Sequence, residues 1–204
     1  MSDNRGAVYI AIGDKAVEEA RMSSRTLKQF NDINDTQIEF INLYPICIPS
    51  GKGNAIDSRW AKINLDKLTT YDQFVYLDAD TRIRGSLQHG FDILDDGWEM
   101  AITASDNQER DWCWHVGEDE CNQTMLDYCC QPVQLQAGVM FVRKCENIHR
   151  LFEVWREEWL RWQDQDQAAL LRALKRAPVK LWILGKDYNG GRLVSHLYGK
   201  LRNK

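Results

Sequence analysis

Basic charge is in short supply. The 204 residues carry 26 Lys and Arg against 30 Asp and Glu, a net charge of −4. That excludes binding of nucleic acid through a broad basic surface. Proline is scarce, with four residues at 45, 49, 132 and 178, and none stands in a cluster that would mark a linker. A domain averages about 150 residues, so residues 1–204 read as a single domain. No apolar run approaches the roughly 20 residues of a spanning helix. The opening MSDNRGAVYIAIGDK lacks the basic-then-apolar pattern of a signal peptide. The six cysteines form no CxxC pair, so they read as reduced thiols of a cytoplasmic protein. Cys113, His115, Cys121 and Cys129 could be gathered into a zinc set, but their spacing fits no common ligand pattern. There is no internal repeat.

What is present is a core. The chain is 44% hydrophobic, which excludes disorder over most of its length. Ala7 to Gly13 reads as a buried strand, and Val17, Ala20, Ser24, Leu27 and Phe30 recur at helical spacing after it. Gln37 to Leu43 alternates as a second strand, followed by a turn-rich YPICIPSGKGN segment. Asn54 to Leu68 reads as one helix, and Phe74 to Leu77 as a third strand. Met100 to Ala104 and Leu135 to Val142 are further strands. Ile148, Leu151, Phe152, Trp155, Trp159 and Trp162 form one helical stripe, read as core-facing. Asp164 to Arg176 is a further helix, and Val179 to Leu184 a last strand before a Gly-rich tail. Strands alternating with helices predict an α/β fold with a central sheet flanked by helices. Ligands on such sheets sit beyond the carboxyl ends of the strands.

The third strand runs straight into Asp78-Ala79-Asp80. Two carboxylates brought to one point repel unless a cation lies between them. Mn²⁺ and Mg²⁺ take such oxygen ligands and bridge to phosphates. Read blandly, these are two solvated aspartates in a turn. His196 suits Mn²⁺ as a third protein ligand, and Gly199, Lys200 and Arg202 after it could hold a diphosphate. Gln136 precedes Gly138 inside a strand, where glycine marks a bulge or a close backbone approach. The segment QDQDQAALLRAL at 163–174 places acid and amide groups at a helix start, either as a cap or facing a polar substrate. Trp112 and Trp114, in a loop, are candidates for stacking on a sugar.

In this order, the four features resemble the retaining nucleotide-sugar glycosyltransferases of family 8, the group of glycogenin and the bacterial galactosyltransferases. The likeness spans nearly the whole chain, from VYIAIGDK to His196-x-x-Gly199-x-x-Arg202. It implies a GT-A fold and transfer of a hexose from a UDP-sugar to an acceptor it does not identify. Asp78, Asp80 and His196 would hold Mn²⁺ or Mg²⁺, with Ala79 between the two aspartates. Lys62 would contact the donor, and Ala11, Ile12 and Asp14 would border the uracil. Asp106 would face the sugar, as would Gln136, which stands where the family usually has Asn. Asp166-Gln167 best matches the family's active-site pair, with Asp164-Gln165 as the other register. Asn189 matches an Asn before the histidine. Arg202 replaces the family's Lys, and guanidinium still pairs with phosphate.

Two other classes compete. A phosphatase built on Asp-x-Asp-x-Thr would need Thr where this chain has Arg82. A sugar-nucleotide-binding protein without catalysis would keep the fold and bind without turnover.

Overall fold

The computed structural model describes residues 4–31, 37–41, 54–105 and 116–197. Eight strands alternate with seven helices among them. They are β1 (Arg5–Ile10), α1 (Asp14–Phe30), β2 (Gln37–Ile41), α2 (Asn54–Lys62), α3 (Leu65–Leu68), β3 (Gln73–Leu77), β4 (Thr81–Ile83) and α4 (Gln88–Asp95). There follow β5 (Met100–Ala104), α5 (Glu118–Tyr128), β6 (Leu135–Arg143), α6 (Glu146–Trp162), α7 (Asp166–Arg176), β7 (Leu181–Leu184) and β8 (Val194–His196).

Six strands form one sheet in the order β2-β1-β3-β6-β5-β7. All run in one direction except β6, which is antiparallel to both its neighbours. Such a sheet is covered on both faces, so its strands read as continuous apolar runs. Residues of one strand still divide between two cores. Val8, Ile10, Phe74 and Tyr76 join the core under α2, α3, α6 and α7. Ala7, Tyr9, Val75 and Leu77 join the core under α1 and α4. The mixed α/β architecture expected from the sequence is therefore present.

Some element limits differ from expectation. The helix over 54–68 breaks after Lys62, because the Asn64 side chain bonds back to the Trp60 carbonyl at 2.8 Å and a new turn begins. The Gly-rich tail contains β8, which pairs with β4 in a two-stranded ribbon. Phe30 is exposed at the end of α1 rather than packed. In α6, Trp155 and Trp159 are buried as expected, whereas Trp162 is only half-buried. No helix among the described residues is long and apolar enough to cross a membrane.

Candidate active site

The site forms at the carboxyl edge of β3. Asp78 follows the last residue of that strand, and the chain turns at once. The Asp78 carbonyl accepts from the Thr81 amide at 3.1 Å and from Thr81 Oγ1 at 2.8 Å. This turn brings Asp78 and Asp80 to one side. The ribbon then delivers His196, because Thr81 pairs with His196 and the Leu197 amide donates to the Asp80 carbonyl at 3.1 Å. His196 Nε2 stands 3.1 Å from Asp80 Oδ1 and 3.6 Å from Asp78 Oδ2. One ligand atom from each of the three lies within 4.8 Å of the others. His196 Nδ1 meets Asn189 Oδ1 at 2.7 Å, a second-ring contact of the kind that fixes imidazole orientation in metal sites.

Gly138 makes room for this cluster. A Cβ there would lie 2.5 Å from His196 Cε1 and 2.9 Å from Asp78 Oδ2. The Gly138 carbonyl accepts the Asp78 amide at 2.8 Å. The β5–β6 register jumps at this point: Ile102 faces Met140, and Thr103 faces Gln136. Residues 137–139 thus bulge away from β5, the close approach that a glycine within a strand signals.

Lys62 ends α2 and is buried. Its Nζ lies 3.2 Å from Asp78 Oδ1 and 3.0 Å from Asp166 Oδ2. Burial pulls the ammonium pKa down, but Asp166 and Asp78 outweigh it and hold it above the ordinary lysine range. Burial likewise opposes ionisation of Asp166, yet Lys62 holds that carboxyl below its usual value. Asp166 Oδ2 is buried without a well-formed hydrogen bond, so the ammonium is its compensation. Tyr76 donates to Asp78 Oδ1 at 2.6 Å. Burial, and then the Asp78 charge, push its phenol well up, so it stays a donor.

The tryptophan stripe of α6 serves this edge as well as the core. Trp155 Nε1 donates to the Asp166 carbonyl at 2.9 Å, and Trp159 Nε1 to the Asp164 carbonyl at 3.1 Å. Two large buried rings therefore pin the segment entering α7. The two aspartates of that segment have different surroundings. Asp166 faces Lys62, whereas Asp164 is half-exposed and lies 3.8 Å from Arg59.

The structure brings together Asp78, Ala79, Asp80, His196, Lys62, Asp166, Gln167 and Gln136. Ala11 and Ile12 are buried just beyond β1, and Asp14 is exposed at the start of α1. Asp106, Trp112, Trp114, Cys113, His115, Gly199, Lys200 and Arg202 lie outside the described residues. Cys121 and Cys129, from the conceivable zinc set, are half-buried and exposed respectively. Sequence reasoning missed Tyr76, which reads as one more apolar position, and Gln134. Arg82, at the phosphatase position, is committed to Glu19 of α1. A separate cavity of about 280 Å³ lies between α1 and α4, lined by Leu27, Leu87 and Phe91, and holds none of these carboxylates.

The donor set is two carboxylates and an imidazole, a hard set of O and N ligands that could hold a divalent ion. Among the described residues, the inner groups are the carboxylates of Asp78, Asp80 and Asp166 and the ammonium of Lys62, a set to which a divalent cation would add positive charge.

Neither a family model nor a curated protein matches the sequence. Solved structures do match in shape. The bifunctional glycosyltransferase WbbM superposes with a TM-score of 0.63 at 13% identity, over 92% of this chain and 40% of that one. The chain thus spans well under half of WbbM. Mouse xyloside xylosyltransferase 1 gives a TM-score of 0.58 at 10% identity, over 89% of this chain and 85% of that one. The galactosyltransferase LgtC, solved with donor and acceptor sugar analogues, gives 0.56 at 13% identity, over 89% and 73%. The architecture of this chain is that of the GT-A glycosyltransferases.

Proposed function

We propose that this chain is a metal-dependent retaining glycosyltransferase that moves a hexose from a UDP-sugar to an acceptor hydroxyl. The observation that carries this reading is the convergence of Asp78, Asp80 and His196, with Lys62 and Asp166 beside them, at the carboxyl edge of a GT-A sheet. In the reaction, the bond from the sugar C1 to the diphosphate oxygen breaks and a bond from C1 to the acceptor oxygen forms. The acceptor proton passes to the departing diphosphate or to solvent. A divalent ion bound by Asp78, Asp80 and His196 would supply Lewis-acid stabilisation of the leaving diphosphate.

The protein's own groups have separate tasks. Lys62 keeps Asp166 ionised in a buried place, and the same ammonium reaches Asp78 Oδ1 at 3.2 Å. Tyr76 and Gly138 fix where Asp78 points, and Asn189 does the same for His196. Asp166, Gln167 and Gln136 border the space where the sugar would lie. Retention is supported by the likeness of the ordered motifs to the retaining transferases. LgtC, solved with donor and acceptor sugar analogues, supports a reaction between a donor sugar and an acceptor sugar.

The test is release of nucleoside diphosphate from a panel of UDP- and GDP-sugars with Mn²⁺, against an Asp80→Asn control. Slow hydrolysis of one donor, lost in the variant, is the expected result. The variant should lose more metal affinity than the roughly 10–100-fold that follows loss of an outer-shell partner. Metal-dependent donor binding with no turnover toward any acceptor would select the non-catalytic binding reading. The product's anomeric proton, read by NMR, checks retention, and an inverted product overturns it.

A further inference from the structure

Three carboxamides stand together beside the charged set. Gln134, just before β6, is buried; Gln136 within β6 and Gln167 in the first turn of α7 are half-buried. Gln134 Nε2 donates to Gln167 Oε1 at 3.3 Å, and Gln167 Nε2 donates to Gln136 Oε1. Both hydrogen bonds point the same way, so the chain of amides has a direction. At its outer end the Gln136 oxygen is taken, while Gln136 Nε2 makes no hydrogen bond among the described residues. The backbone there is held too, since Asn189 Nδ2 approaches the Gln136 carbonyl at 3.4 Å. The same Asn189 orients His196.

A carboxamide can be turned over at little steric cost, because its oxygen and nitrogen are nearly isosteric. What decides its orientation is the partner. With the buried Gln134 offering N–H to Gln167, the row runs oxygen, then nitrogen, then oxygen toward Gln136. We infer that Gln134 is a positioning residue that sets this order, so that Gln136 presents N–H groups to a hydrogen-bond acceptor on the transferred sugar. The inference rests on the donor-site reading above. It assigns Gln134 a function although it touches no substrate, and it gives Gln136 a donor's role rather than an acceptor's.

The experiment measures Kd for UDP, UDP-glucose and UDP-galactose with Mn²⁺ by calorimetry. It uses wild type, Gln134→Glu, Gln134→Met and Gln136→Glu. The readout is the ratio of the Kd for each UDP-hexose to that for UDP, and UDP itself reports an intact fold and metal site. Gln134→Glu has no N–H to give, so Gln167 turns over and Gln136 presents oxygen. The ratio for the better-bound hexose should rise about fivefold, the effect of one neutral hydrogen bond, with UDP binding within about twofold of wild type. Gln134→Met releases Gln167 without reversing it and should raise the ratio less. Gln136→Glu keeps the inner bonds but replaces the outward NH₂ with oxygen, and should match Gln134→Glu even if a change at 134 impairs folding. Unchanged ratios in Gln134→Glu and Gln136→Glu overturn the inference while leaving the donor site standing. A rise in Gln136→Glu alone overturns the role of Gln134. Wild type that binds neither UDP nor a UDP-hexose overturns the donor-site reading and this inference with it.

Discussion

Two of the buried charge networks among the described residues are built on opposite principles. One lies among α5, α6 and α7. Arg172, 1% exposed, donates to Glu158 Oε2 at 2.9 Å, to Thr124 Oγ1 at 2.7 Å and to Glu120 Oε1 at 2.8 Å. Arg161 and Arg176 reach the same Glu158 from the surface, at 2.9 and 2.6 Å, and Arg176 also meets Glu157. Three guanidinium groups face three carboxylates, and the set is closed upon itself. The other network lies at the edge of β3. There, among the described residues, Lys62 is shared by Asp78 and Asp166 with Asp80 beside them, Asp166 Oδ2 lacks a well-formed hydrogen bond, and Asp78 and Asp80 are open to solvent on one side. A closed network holds helices together, whereas one that is open to solvent on one side leaves room for a ligand. Depth of burial of the cation does not separate the two, since Lys62 and Arg172 are both buried. The openness of Asp78 and Asp80 to solvent does.

The largest expected effect breaks the closed network. Arg172→Met leaves Glu120 and Glu158 without their shared partner, and losing one member of a buried pair costs about 3–5 kcal/mol. Denaturant unfolding should show that loss in the midpoint. Donor binding at low temperature, where the fold persists, should stay near wild type. A variant as stable as wild type would show that this cluster holds nothing together.

Gly138→Ala acts on the open network by space alone. The new methyl displaces His196 or Asp78, and overpacking of this kind costs about 1–3 kcal/mol. Mn²⁺ affinity should fall roughly tenfold or more, as one ligand of three leaves its place. Unchanged Mn²⁺ binding would overturn the placing of Asp78 and His196 at one ion.

Proton linkage sharpens the contrast. Burial opposes ionisation of Glu158, but Arg176, Arg172 and Arg161 outweigh it and hold its carboxyl below the ordinary value. A lowered folded pKa contributes stability above the unfolded value of about 4.3, and that stability is lost as pH falls through the folded value. Glu120 is shifted the other way, because burial outweighs Arg172. Its contribution opposes that of Glu158: it favours the folded state below the unfolded value and is lost as pH rises through the folded one. Glu158→Gln should therefore remove part of the acid-side slope of stability below about pH 4.3, and an unaltered slope would refute the assignment.

Legibility in the sequence follows the same division. The sheet was readable because both its faces are apolar, and Asp78, Asp80 and His196 were readable because each is a charged or ligating residue where an apolar pattern stops. Gly138 announced its bulge. By contrast, α5 has no apolar stripe to find, since its buried positions are Glu120 and Thr124, whose partner is Arg172. The helix α4 is short and carries Gly90 on its packed side, where a Cβ would strike the Phe141 ring. The three-residue strands β4 and β8 are too short for any periodicity, yet they place His196. Lys62 was visible only through family likeness, and Tyr76 was hidden because its ring belongs to the core while its hydroxyl belongs to the site.

The smallest expected effect decides the register at the start of α7. Asp164 and Asp166 are two residues apart and chemically identical, so composition cannot choose between them. The structure separates them by surroundings. The Asp164 carboxylate is about half-exposed and 3.8 Å from Arg59, a pair whose loss costs about 0–1 kcal/mol. Its carbonyl, the part Trp159 holds, is untouched by a side-chain change. Asp164→Asn should thus leave both stability and donor turnover within about twofold of wild type. Asp166→Asn removes the partner of a buried ammonium and a group bordering the sugar, and should lower turnover by a much larger factor. Equal losses in the two variants would show that the segment as a whole, rather than the Asp166 carboxylate, is what the reaction uses.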